Sequence, residues 1–273
     1  MPVGKGRLDV HLVKFGLVDT REQAQEAIAA KHVLVNGSIA LKAAQQVRTT
    51  DAIRLLEDKR YVSRAGFKLE RALESFRVEV NGRHCLDVGL STGGFSQCLL
   101  EKGAHCVTGV DVGTSQVHEK IAKNPKMTVY EQTDIRDFAQ SYRGDRYELV
   151  VCDVSFISVT SIVLSLETLL QSRFGQLLVL IKPQFELGRV EVSKGKGVIR
   201  SVGLWREALD RVTVRFQEQG LILRQLAPAL PKGASGNQEF VALFENLEAV
   251  SDDKAEDREV LIESALGELR DIN

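Results

Sequence analysis

Long apolar runs are missing from this 273-residue chain. The purely apolar stretches are short, as at 177–181, and none approaches the roughly 20 residues of a membrane-spanning helix. The first residues, MPVGKGRLDV, lack the apolar core of a signal peptide, so the expectation is a cytoplasmic protein with no membrane partner. An excess of one charge is missing too. The 36 Lys and Arg stand against 37 Asp and Glu, which excludes a strongly basic whole-chain nucleic-acid binder but leaves room for a local basic patch. Cysteine is sparse: Cys85, Cys98, Cys106 and Cys152 form no CxxC pair. No histidine stands at metal-ligand spacing, so no metal site is expected and the cysteines read as reduced core thiols. Internal repeats and low-complexity segments are absent.

What is present is an ordinary globular composition, 44% hydrophobic and 27% charged, at a length that suggests two domains. Charge is spread unevenly. Residues 1–60 carry ten Lys and Arg against seven Asp and Glu, whereas residues 246–273 carry three against nine. This pattern suggests a small polyanion-facing module at 1–60 with a linker over 57–62, a body at 61–246, and an acidic tail at 247–273.

In the module, Leu8, Val10, Leu12, Val13 and Phe15 predict a short helix ended by Gly16. Thr20, with Gln23 three residues on, predicts the start of a second helix that buries Ala24, Ala27 and Ile28. VLVNGSIAL reads as a hairpin turning at Asn36-Gly37, and a further strand is expected over 52–56. The run RLDVHLVKFGLVDTREQAQEAIAAKHVLVNG resembles the S4 RNA-binding domain, with Lys31 standing where that family usually has Gly. The resemblance favours RNA contact by the cluster of Arg7, Lys14, Arg21, Lys31 and His32, while Lys59-Arg60 and Arg64 read separately as a basic surface between the domains or as a charged linker. A merely solvated helix face is the plainer reading of the charges alone.

The body alternates strands and helices. In CLDVGLSTGGFSQCLLEKG, residues 85–88 read as a strand, Gly89 to Gly94 as a flexible turn, and Phe95 as the opening of a helix. A second strand ends at Asp111, 22 residues after Gly89, where an acid can accept ribose hydroxyls. The turn lacks the GxGxxG spacing of dinucleotide sites, and Asp87 would sit close to a pyrophosphate. A carboxylate suits a cationic methionine moiety better, which favours S-adenosylmethionine as the cofactor. Candidate cofactor contacts are Asp87, Gly89, Ser91, Thr92, Gly93, Gly94, Phe95, Asp111 and Asp134. Further strands are expected at 127–131, 148–153, 176–182, 221–226 and 239–245. The expected fold is α/β, a Rossmann-like, doubly wound, mostly parallel sheet beside a small α+β domain. Asp87, Asp111, Asp134, Asp153 and Lys182 would then emerge at one edge of the sheet.

YVSRAGFKL, LDVGLSTGGFS, CDVSFISV, LIKPQFELGR and ASGNQEF follow one another as in the TlyA-type methyltransferases, a family also called hemolysins. These join an S4 domain to a domain resembling FtsJ. The resemblance implies S-adenosylmethionine-dependent 2'-O-methylation of cytidine ribose in ribosomal RNA, with ribosomal RNA or ribosomal subunits as partner. It also implies a catalytic tetrad of Lys68, Asp153, Lys182 and Glu239. Lys182 is expected to orient the hydroxyl or take its proton, Asp153 and Glu239 to position Lys182 and the ribose, and Lys68 to stabilise oxyanion charge. The competing readings are a non-catalytic RNA-binding protein, a small-molecule methyltransferase, and a hemolysin. The retained tetrad, the N-terminal module and the absence of a spanning helix argue against them in turn. In the tail, Val260, Leu261, Ala265 and Leu269 form one helical stripe, and the expectation is a helix packed loosely on the body or a partly disordered extension.

Overall fold

The computed structural model describes residues 5–18, 21–29, 31–56, 60–195, 197–233, 236–246 and 257–272. Thr20, residues 57–59 of the linker, the tail segment 247–256 and the Gln23 side chain, named above, lie outside the described residues. The chain divides into two units between Arg60 and Tyr61.

The first unit runs β1 (Lys5–Arg7), α1 (Leu8–Lys14), α2 (Arg21–Ala29), β2 (Val33–Val35), β3 (Ser38–Ile39), β4 (Gln46–Arg48) and β5 (Ile53–Leu55). Asn36 and Gly37 join β2 to β3 with φ of 50° and 84°, the left-handed values a tight hairpin turn requires. The order is β3-β2-β5, with β1 and β4 paired separately. Leu8, Leu12, Ala24, Ile28, Val33 and Val47 form the core. Not every apolar residue that predicted α1 is buried. Val10 and Phe15 are 44% and 46% exposed, while Asp9 and His11 are buried. Asp9 tolerates full burial because Arg7, Arg21 and Gln25 all donate to its carboxylate. Those bonds, that of Arg7 foremost, hold the carboxyl far below its usual range against the effect of burial. Lys31 takes φ of 62° just past α2, a conformation that glycine adopts with less strain.

The second unit opens with α3 (Ala65–Ser75), β6 (His84–Val88), α4 (Gly94–Glu101), β7 (Cys106–Val110), α5 (Glu119–Ala122), β8 (Met127–Tyr130), α6 (Ile135–Ser141) and β9 (Leu149–Cys152). It continues through α7 (Val163–Leu169), β10 (Gln176–Ile181), α8 (Pro183–Glu186), α9 (Arg189–Lys194), α10 (Val202–Gln217), β11 (Leu221–Pro228), β12 (Phe240–Asn246) and α11 (Arg258–Ile272). Seven strands form one sheet in the order β11-β12-β10-β9-β6-β7-β8. β8, β7, β6, β9 and β10 are parallel, and β12 runs antiparallel to both of its neighbours. All four residues of β9 are buried, as befits a central strand covered on both faces. Two apolar clusters cover those faces. On α10, Trp205, Ala208, Leu209, Val212 and Phe216 recur at helical spacing and are buried. The four cysteines are free thiols, and burial pushes Cys85 and Cys98 up to about 12.

The C-terminal helix also departs from expectation. Leu261, Ile262, Ala265, Leu266 and Leu269 are at most 8% exposed and belong to the larger apolar cluster, while Val260 is 58% exposed. Helix α11 is part of the core, and Arg258 ties it to Asp210 on α10 at 2.6 Å.

Candidate active site

The sheet reverses its order of growth between β6 and β9. From β6 the chain adds β7 and β8 on one side, then crosses back to add β9 and β10 on the other. Helices leave the crevice beyond the strand ends open at such a point. Gly89 follows β6, Asp111 follows β7, Asp153 follows β9 and Lys182 follows β10. Glu239 immediately precedes β12. Because Ile181 pairs with Phe240 in antiparallel register, Lys182 and Glu239 leave the sheet at the same edge. Lys68 lies in the first turns of α3.

A cavity of about 510 Å3 at this edge is lined by Lys68, Gly89, Asp153, Lys182, Phe185 and Glu239, among others. The four expected tetrad residues form two ion pairs. Lys68 Nζ lies 2.5 Å from Glu239 Oε2, and Lys182 Nζ lies 2.6 Å from Asp153 Oδ1. All four side chains are at most 16% exposed, so each charge depends on its partner. The expected role of Glu239 is therefore revised: its carboxylate is paired with Lys68, and Asp153 is the carboxylate on Lys182. Lys182 Nζ also donates to Ser155 Oγ at 2.7 Å, a contact the sequence reading missed. Asn237, missed as well, is 4% exposed, accepts from Ile199 N–H and donates to the Gly197 carbonyl, both at 2.9 Å. It thereby braces the approach to Glu239. Gly233 gives Glu239 room, since a Cβ there would stand 2.3 Å from Oε1.

The glycine turn is shaped by the same loops. At Gly89, with φ of 86°, a Cβ would stand 2.6 Å from the Asp153 carbonyl oxygen, so the turn and the Asp153 loop can approach only if residue 89 is glycine. Gly93, at φ of 92°, caps α4. Gly89, Ser91, Thr92, Gly94 and Phe95 line the cavity, and exposed Arg64 stands among its lining residues at the start of α3.

The remaining expected contacts are placed elsewhere. Asp111 accepts from Ser91 N–H and Gly113 N–H, each at 2.7 Å, and so anchors the turn. Asp87 is fully buried beneath α4, outside the cavity lining, with Ser96 Oγ donating to it at 2.7 Å. Burial raises its carboxyl to about 7 despite that bond. Asp134 caps α6 and is gripped by the Arg136 guanidinium, which holds the carboxyl down to about 2. Of the expected RNA contacts in the first unit, Arg7 and Arg21 are engaged by Asp9 while remaining 41% and 53% exposed. Lys31 is exposed.

Fold and site thus define a Rossmann-like domain with a ligand cavity at the switch point of the sheet and paired lysines and carboxylates beside it. Residues 61–245 match the FtsJ-like methyltransferase family, and residues 6–53 match the S4 domain. The chain is 38% identical over 238 residues to the 16S/23S rRNA (cytidine-2'-O)-methyltransferase TlyA of Mycobacterium tuberculosis, covering 86% of this chain and 88% of the relative. It is also 38% identical to Hemolysin A of Brachyspira hyodysenteriae, covering 87% and 99%. A solved structure from Streptococcus thermophilus that carries a hemolysin name superposes with a TM-score of 0.72 at 33% identity over 98% of both chains. The chain belongs to the TlyA family of FtsJ-like methyltransferases with an N-terminal S4 domain. Among the described residues, no helix is long and apolar enough to cross a membrane.

Proposed function

We propose that this methyltransferase moves a methyl group from S-adenosylmethionine to the ribose 2'-hydroxyl of a cytidine in ribosomal RNA, working in the cytoplasm. The observation that carries the proposal is the pair of lysine–carboxylate contacts lining the cavity of the glycine turn. The activity in the names of the TlyA relatives supports the same reading.

The cofactor fits the residues present. The cavity volume lies within the ~300–1,000 Å3 of small-molecule sites, and the turn at 89–95 is anchored by Asp111, which accepts from Ser91 N–H. When bound, S-adenosylmethionine supplies an electrophilic methyl on a cationic sulfur. The chain's own residues do the rest. A ribose hydroxyl is a poor nucleophile while protonated and must be held in line at about 3 Å. Lys182 orients that hydroxyl and takes its proton, with Asp153 fixing the lysine. Lys68, balanced by Glu239, stabilises negative charge developing on the oxygen. The two pairs sum to zero charge, so the site tolerates a cationic cofactor. Arg7, Arg21 and Lys31 of the first unit contact phosphates, the two arginines being held in fixed orientation by Asp9.

The test is transfer of label from S-adenosylmethionine to ribosomal RNA, followed by mapping of the modified nucleoside. Label in 2'-O-methylcytidine is the expected result. Label on a base, or none with any ribosomal RNA or subunit, overturns the proposal.

A further inference from the structure

Two lysines and two carboxylates leave a question of aim. An ammonium held by one carboxylate can still swing about that contact, and a small swing moves the group that must meet the substrate hydroxyl. Lys182 has a second anchor. Its Nζ lies 2.6 Å from Asp153 Oδ1 and donates to Ser155 Oγ at 2.7 Å, and Ser155 lines the same cavity. The hydrogen bond to Ser155 and the close Asp153 carboxylate together restrict the remaining direction of Nζ, which is an N–H when the ammonium orients the hydroxyl and the lone pair when the neutral amine takes its proton.

The segment carrying Ser155 is itself held. Phe156, the next residue, sits at φ of 70°, a left-handed conformation unfavourable for an L-residue. A few residues further on, the loop is braced by Glu186, which ends α8 four residues after Lys182. Glu186 is 3% exposed, accepts from Val159 N–H at 3.0 Å and accepts from the Ser158 hydroxyl. Arg211 on α10 donates to its carbonyl at 2.6 Å. The loops after β9 and β10 are therefore tied twice, by Glu186 to Ser158 and Val159, and by Lys182 to Asp153 and Ser155.

We infer that Ser155 is a positioning residue that aims Lys182 at the substrate hydroxyl. The inference rests on the proposed role of Lys182. Ser155 is exposed as a residue, so its replacement is expected to leave the fold intact, which an unchanged melting temperature checks.

The experiment measures methyl transfer to ribosomal RNA at saturating cofactor for wild type, Ser155→Ala, Ser155→Thr and Lys182→Ala, with cofactor affinity and melting temperature for each. A hydrogen bond to a charged group is worth a roughly ten- to hundredfold change, so Ser155→Ala is expected to lose at least about tenfold in kcat. Its KM for RNA and its cofactor affinity stay within about twofold. Ser155→Thr, which keeps the hydroxyl, recovers most of the rate. Wild-type kcat in Ser155→Ala beside an inactive Lys182→Ala overturns the role of Ser155 alone. So does a loss confined to KM, or an equal loss in the Ala and Thr variants. Full activity in Lys182→Ala overturns the underlying assignment instead.

Discussion

At the residue scale, two aspartates near the glycine turn have different functions. Asp111 holds the N–H groups of Ser91 and Gly113, so it shapes the turn, and our proposal gives it the ribose hydroxyls of the cofactor as well. Asp111→Ala removes charge-assisted bonds worth roughly 1.5–3 kcal/mol, and cofactor affinity should fall about tenfold or more by calorimetric titration. Unchanged affinity in a folded variant would remove Asp111 from the site. Asp87, buried under α4, has a carboxyl raised to about 7, against about 3.9 when unfolded. Between those values the folded state binds the extra proton. The stability this group contributes is therefore complete below about pH 4 and is lost as pH rises toward 7. Asp87→Asn removes that loss and keeps an acceptor for Ser96. Its melting temperature relative to wild type should rise between pH 5 and pH 8. A difference that stays constant across that range would contradict the account.

At the scale of elements, the strands and the acidic residues at their ends were legible in the sequence because buried parallel strands read as short apolar runs closed by a polar residue. Other features were not. β1 and β4 are three-residue, largely polar strands, too short for a pattern to stand out. Asp9 is buried on α1 because Arg7, Arg21 and Gln25 converge on it, and those contacts exist only after folding. Ser155, Glu186 and Asn237 brace loops and carry no pattern of their own. On helix α11 the expected Leu261, Ala265 and Leu269 are buried. The structure buries the face with Ile262 and Leu266 and leaves Val260 in solvent. Leu266→Ala should cost about 2–5 kcal/mol in denaturant unfolding, whereas Val260→Ala should stay within about 0.5 kcal/mol. Equal effects would place the wrong face in the core.

At the scale of the whole molecule, the tetrad chemistry and the S4 domain lie on different units. A fragment beginning at Tyr61 retains the whole cavity lining and the complete seven-stranded sheet. It should bind S-adenosylmethionine with the affinity of the full chain yet lose methylation of ribosomal RNA. Full activity of the fragment on the same RNA would show that the S4 domain does not deliver substrate. The central claim is that Lys182 acts on the substrate hydroxyl rather than on the cofactor. The measurement that tests it most directly is the rate of methyl transfer to ribosomal RNA by Lys182→Ala and Lys182→Arg, each shown to be folded and to bind S-adenosylmethionine as wild type does. The account predicts that Ala is inactive and that Arg is nearly so, because a guanidinium keeps the charge but cannot take a proton near neutral pH. Wild-type rates in both variants, or an active Arg variant beside an inactive Ala variant, would contradict it.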